Sequence, residues 1–127
     1  MVSVLQNVAI DCANAYELAQ FWSKVTGRPL GKDDKPGDEA VEVVLAEGPV
    51  LFFAQVPEPK TIKNRLHLCL RPEDSRDREV ERLLGLGATL LADHREPDGG
   101  GWAVLADPEG NEFCVLRSAA ERAAMEA

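Results

Sequence analysis

Hydrophobic and polar positions along the chain fall into two series of the same order. Residues 2–10 are apolar and rich in Val and Leu, which suits a strand. Asn14 with Glu17 three residues on is a capping-box-like start. Ala15, Leu18, Ala19, Trp22 and Val25 then recur at helical spacing until Gly27 closes the helix. Pro29-Leu30 is expected as a short strand and Lys32 to Glu39 as a charged loop. Val41 to Ala46 and Val50 to Gln55 read as strands joined by a tight hairpin at Glu47-Gly48-Pro49. Residues 57–64 contain two prolines and read as a connector.

The series then begins again. Arg65 to Leu70 is a strand, and Asp74 or Ser75 opens a helix whose buried stripe is Val80, Leu83 and Leu84. Gly85 and Gly87 stop it. Strands follow at Ala88 to Ala92, Trp102 to Ala106 and Glu112 to Leu116, with a polar turn from His94 to Gly101 holding three consecutive glycines. Asp107-Pro108-Glu109-Gly110-Asn111 is a tight reversal, Pro fixing φ and Gly taking a positive φ. Residues 118–127 are rich in Ala and suit a terminal helix. Asn7 and His67 hold matching places in the two series, as do Gly27 and Gly87, each pair 60 residues apart.

Each half is too small to bury an adequate core alone. One α+β domain over residues 1–127 is therefore expected, with module one at about 2–56, the connector at 57–64, module two at about 65–117 and the C-terminal helix at 118–127. Helices cover one face of the sheets, and the other face curls around a cavity.

Charge and composition remove several classes of function. The net charge is −8 with no basic stripe, so nucleic acid is not an expected partner. No apolar run is long enough to cross a bilayer, and Met1 to Leu5 has no basic segment of a secretory leader. Cys12, Cys69 and Cys114 make an odd count of thiols, which points to reduced cysteines and a cytoplasmic setting.

Five segments in order carry a resemblance. They are Leu18-Ala19-Gln20-Phe21-Trp22, Gly27-Arg28-Pro29-Leu30, Lys63-Asn64-Arg65-Leu66-His67-Leu68, Leu86-Gly87-Ala88 and Asp107-Pro108-Glu109-Gly110-Asn111-Glu112-Phe113-Cys114-Val115. The chain resembles the glyoxalase-like branch of the vicinal oxygen chelate superfamily, which holds glyoxalase I, extradiol dioxygenases and fosfomycin- and bleomycin-resistance proteins. The resemblance implies two βαβββ modules forming a half-open barrel around a central cavity. It also implies a homodimer. In metal-dependent members the ligands lie on the first and last strands of each module. By position these map to Asn7, Gln55, His67 and Cys114.

Strand alternation supports the mapping on its own terms. Leu66, Leu68 and Leu70 would face the helices, leaving His67 and Cys69 on the opposite face; Asn7 is opposite Val8 and Ile10, and Cys114 opposite Phe113 and Val115. Asn7 and Gln55 are weak ligands, and the set lacks a carboxylate. The expectation is a cavity without a tightly bound metal or other cofactor, holding a small organic molecule as a sequestration or resistance protein does. The alternatives are a lyase or isomerase with His67 as base, or a zinc enzyme using His67 and Cys114. Phe53 and Trp102 offer flat walls, and Arg65, with Lys63, offers positive charge at the mouth. The run of Gly99 to Gly101 reads either as a flap over the cavity or as a plain hairpin.

Overall fold

The computed structural model describes residues 1–126. The chain divides into two compact units, Met1 to Lys60 and Thr61 onward. In the first, β1 (Asn7–Cys12) leads into α1 (Ala15–Thr26), then β2 (Ala40–Val43) and β3 (Val50–Gln55). In the second, β4 (Leu68–Leu70), α2 (Arg76–Leu86), β5 (Thr89–Asp93), β6 (Ala103–Ala106) and β7 (Glu112–Val115) are followed by α3 (Ala119–Glu126).

The two units share one topology. The second sheet runs β4-β7-β6-β5, with β4 and β7 parallel and the other pairs antiparallel. The first runs β1-β3-β2, again with a parallel pair at β1 and β3. Its missing outer strand survives as a single bridge between Leu30 and Val43. Each unit is thus a βαβββ module, and the fold is α+β.

Local chemistry explains the helices. Asn14 accepts a hydrogen bond from the Glu17 amide at 3.2 Å, and Ser75 accepts one from Arg78 at 3.3 Å, so each helix start has a side-chain cap. Gly27 and Gly87 close the two helices at φ +68° and +116°, a region that costs other residues a clash at Cβ. Leu18, Ala19, Trp22 and Val25 are buried on α1, and Val80 and Leu83 on α2, while Leu84 is only half-buried.

Four differences from the sequence expectation go beyond a residue or two at a strand end. β1 starts at Asn7, not at residue 2, because its partner β3 begins opposite it at Val50; Val2, Val4 and Leu5 are exposed. β2 ends at Val43, so six residues and not a tight hairpin lead to β3. β4 spans only Leu68–Leu70, paired with Phe113 to Val115 of β7, and Leu66 is 88% exposed instead of facing a helix. Gly85 lies inside α2, and Gly87 alone terminates it.

Candidate functional site

The chemistry collects on one face of the second sheet. Leu68, Leu70, Phe113, Val115 and Leu105 point to the covered side, and Leu105, Phe113 and Val115 are almost completely buried there. Alternation therefore sends Cys69, Cys114 and Val104 to the open side. Cys69 and Cys114 are register partners across the parallel pair, so their side chains emerge next to each other. His67 joins them from the residue before β4. The donor atoms of His67, Cys69 and Cys114 all lie within 4.8 Å of one another.

The approach to β4 is held by the turn that precedes β7. The Asn64 amide donates to Glu112 Oε1 at 3.2 Å, and Asn64 Nδ2 donates to Asn111 Oδ1 at 2.9 Å. That turn is fixed in its own right by buried Asp107. Its Oδ1 accepts from the amides of Glu109 and Asn111 at 2.9 and 3.0 Å, an Asx-turn arrangement. The Asp-Pro-Glu-Gly-Asn segment is thus a clamp for the chain that delivers His67.

Around this cluster lies a concavity of about 350 Å³ lined by Lys63, His67, Cys69, Trp102, Val104, Glu112, Cys114 and Leu116. Trp102, 43% exposed, forms one wall. Its ring stacks at a tilt on His94, with centroids 4.9 Å apart. The two residues also exchange backbone hydrogen bonds at 2.9 and 3.3 Å, closing the β5–β6 hairpin.

Behind that hairpin sits Arg76, only 3% exposed. Its Nη1 donates to the carbonyls of Gly99, Gly100 and Gly101 at 3.2, 2.6 and 3.2 Å. The triple-glycine loop is tethered at its apex by a guanidinium, which no feature of the sequence announces. Glycine is needed at 101, where φ is +81° and a Cβ would collide with the His94 carbonyl.

Burial pushes the Cys114 thiol above its ordinary range, and the neighbouring Cys69 pushes the same way; Lys63 opposes them. Cys114 is therefore a neutral thiol near neutral pH, not an activated nucleophile. No disulfide joins the three cysteines.

The residues singled out in the sequence divide accordingly. His67, Trp102 and Cys114 come together, and Lys63 with them. Arg65 is exposed and outside the lining. Asn7 is exposed on the face of the first sheet opposite its buried side. Phe53 is fully buried, in register with Ile10 on the side that α1 covers; it is core and not a pocket wall. Gln55 shares that side. It pairs with Cys12, and its Oε1 accepts from the Ala15 amide at 3.4 Å, at the start of α1. The counterpart of Cys114 in the first unit is Phe52, which sits opposite Ala9 as Cys114 sits opposite Cys69. The position mapped to Gln55 by resemblance therefore lies three residues past the register equivalent of Cys114, because β3 runs on beyond Phe52.

Cys69 was the donor that the sequence set aside. Alternation had put it on the His67 face, and two residues of separation put it within reach. A hard divalent ion such as magnesium or manganese does not fit this donor set. Among the described residues the only carboxylate in the lining is Glu112, which is hydrogen-bonded to Asn64, and the remaining candidate metal donors are sulfur and imidazole.

The family profile of the glyoxalase-like domain matches residues 7–116. The chain belongs to the glyoxalase-like domain family. No curated protein matches it. Among solved structures it is similar to a glyoxalase/bleomycin resistance protein/dioxygenase family enzyme from Burkholderia phytofirmans PsJN, at 21% identity and TM-score 0.69, covering 89% of this chain and 97% of that one. It is also similar to TnmS3, an antibiotic binding protein from Streptomyces sp. CB03234, at 22% identity and TM-score 0.65, covering 93% and 98%. The oxidase ChaP-H2 gives 22% identity and TM-score 0.64, covering 92% and 94%. At such identities the likeness establishes the fold, which serves binders and enzymes alike.

Proposed function

We propose that this protein binds a small organic molecule against the open face of its second sheet, as a sequestering protein of its superfamily. The observation that carries the reading is the concavity of about 350 Å³ walled by Trp102, Val104 and Leu116. That volume falls in the range of about 300–1,000 Å³ typical of small-molecule sites. Trp102 supplies a flat face for an aromatic or conjugated ligand, and its exposed edge leaves that face accessible. Lys63 and His67 on the rim orient polar substituents. TnmS3 supports the reading, since a protein of this fold is described as antibiotic-binding. A cytoplasmic homodimer completes it.

Titration with a panel of flat aromatic antibiotics, followed by tryptophan fluorescence, tests the proposal. Trp22 is 2% exposed and serves as an internal reference, so a saturable change reports on Trp102. Trp102→Ala, which removes the fluorescent reporter and is read by isothermal titration calorimetry, should weaken binding at least about tenfold, whereas His67→Ala should weaken it only modestly. An intact affinity in Trp102→Ala refutes the placement. A substrate whose turnover vanishes in His67→Ala while binding survives would replace sequestration by catalysis. Native mass spectrometry of the same sample reads the oligomeric state.

A further inference from the structure

We infer that His67, Cys69 and Cys114 form a binding site for a thiophilic metal ion of the zinc class, built by the second unit alone. Three donors with a soft or borderline character converge within 4.8 Å. Two thiolates and an imidazole select zinc or another thiophilic ion over magnesium, calcium or manganese. Tetrahedral zinc holds sulfur and nitrogen donors roughly 3.5–3.8 Å apart. Closing the cluster to that size takes about 1 Å of side-chain movement. His67 and Cys69 are exposed and can rotate, while buried Cys114 stays fixed by its strand.

The backbone prearranges the sulfurs. Cys69 and Cys114 are opposite each other in a hydrogen-bonded parallel ladder, so the two strands hold their spacing without help from a metal. The Asn64–Glu112 and Asn64–Asn111 hydrogen bonds fix the segment that carries His67. The rest of the lining does not compete: Glu112 is engaged, and Lys63 brings positive charge beside two groups that become anions. Three protein ligands leave the fourth position of the ion open toward the concavity. Binding releases one proton from each thiol to solvent, and the pair of thiolates then neutralises a divalent charge. The inference rests on the same concavity as the binding proposal but not on any organic ligand.

The test is a titration of the full chain with cobalt(II), after chelator treatment and under reducing conditions, followed by displacement with zinc. A thiolate-to-cobalt charge-transfer band should grow to saturation at one equivalent and vanish on addition of zinc. Cys69→Ser and Cys114→Ser should each lose about half or more of the band and weaken zinc at least about tenfold. His67→Ala should keep the thiolate band and weaken zinc by a similar factor. Cys12→Ser, in the other unit, should behave as the parent. Circular dichroism checks that each variant is folded; if buried Cys114→Ser is not, exposed Cys69→Ser decides alone. Failure to saturate, or an unchanged band in Cys69→Ser, overturns the site. Repeating the antibiotic titration in chelator separates the two proposals: a fluorescence response there with no cobalt band leaves the pocket standing and removes the metal.

Discussion

Replacing Arg76 by Met is the substitution with the sharpest expected outcome. Met keeps most of the apolar stem and deletes the guanidinium, so packing is roughly preserved while the hydrogen bonds are lost. Nη1 carries two hydrogens and faces three carbonyls, so two bonds and not three are at stake; the one to Gly100 at 2.6 Å is the tightest. Bonds from a charged donor contribute about 1.5–3 kcal/mol each, which gives about 3–6 kcal/mol before relaxation. The glycine loop lies near the surface, and water recovers part of that for the released carbonyls, so a net loss of roughly 2–4 kcal/mol is expected. The Arg76–Asp77 pair adds little, because the Asp77 side chain is 67% exposed. Urea denaturation followed by circular dichroism measures the loss. The same variant should change Trp102 emission, because residue 102 leaves the loop directly after the tethered Gly101. A loss under about 1 kcal/mol with unchanged Trp102 emission would refute the reasoning, since it would mean that the carbonyls are satisfied equally well by solvent.

Phe53→Ala should destabilise by about 3–5 kcal/mol in the same assay, as expected for emptying a fully buried aromatic site. A loss below about 1 kcal/mol would refute the placement of Phe53 in the tightly packed core. Acid should loosen the glycine loop and α3 before the rest of the second unit. At Glu121, burial raises the pKa, but the amides of Ser118 and Arg76 outweigh it and the carboxyl is held below its ordinary range; Asp77 is likewise lowered by Arg76 and Arg95 against burial. A depressed folded-state pKa gives stability that is present above the unfolded value, near 4, and is lost as pH falls through the folded one. Hydrogen exchange of the Arg76 amide, which donates to Glu121 Oε1 at 2.7 Å, should accelerate relative to the β6–β7 amides below about pH 4. Equal acceleration of both sets would show that the loop has no separate acid sensitivity.

What the sequence displays and what it conceals follow from the range of the interactions. Helices α1 and α2 were legible to within a residue at their caps, because Asn14, Ser75, Gly27 and Gly87 act on neighbours three or four positions away. Strand ends were less legible, because a strand stops where its partner stops, and the partner lies about 40 residues off: Val50 sets the start at Asn7, and Val115 the end at Leu70. Alternation identified the face of Cys69 and Cys114 but could not pair them; that needs the parallel register. Arg76 was invisible for the same reason. An arginine at a helix start reads as surface, and only the return of the chain 24 residues later brings the Gly100 carbonyl to its guanidinium.

The duplication explains why the candidate chemistry is one-sided. Matching the two parallel pairs sets Asn7, Ala9 and Phe52 in the first unit against His67, Cys69 and Cys114 in the second. The backbone offers the same three places twice, each on the exposed side of a first strand or beside it on the last. In the second unit they hold an imidazole and two thiols. In the first they hold an amide, a methyl group and a benzyl group, of which only the amide can donate electrons to a cation, and weakly. A shared fold therefore fixes where donors can stand, but each module's side chains decide whether a cation is held. This makes exchange between the modules informative. Ala9→Cys combined with Phe52→Cys and Asn7→His would place the second unit's donor set on the first unit's equivalent strands. If register alone positions the donors, a second equivalent of cobalt should bind with a thiolate band; if it does not, the Asn64 clamp on the chain before β4 is the missing ingredient, since no hydrogen bond to the segment before Asn7 matches it beyond the Val50 amide on the Gln6 carbonyl at 3.3 Å among the described residues.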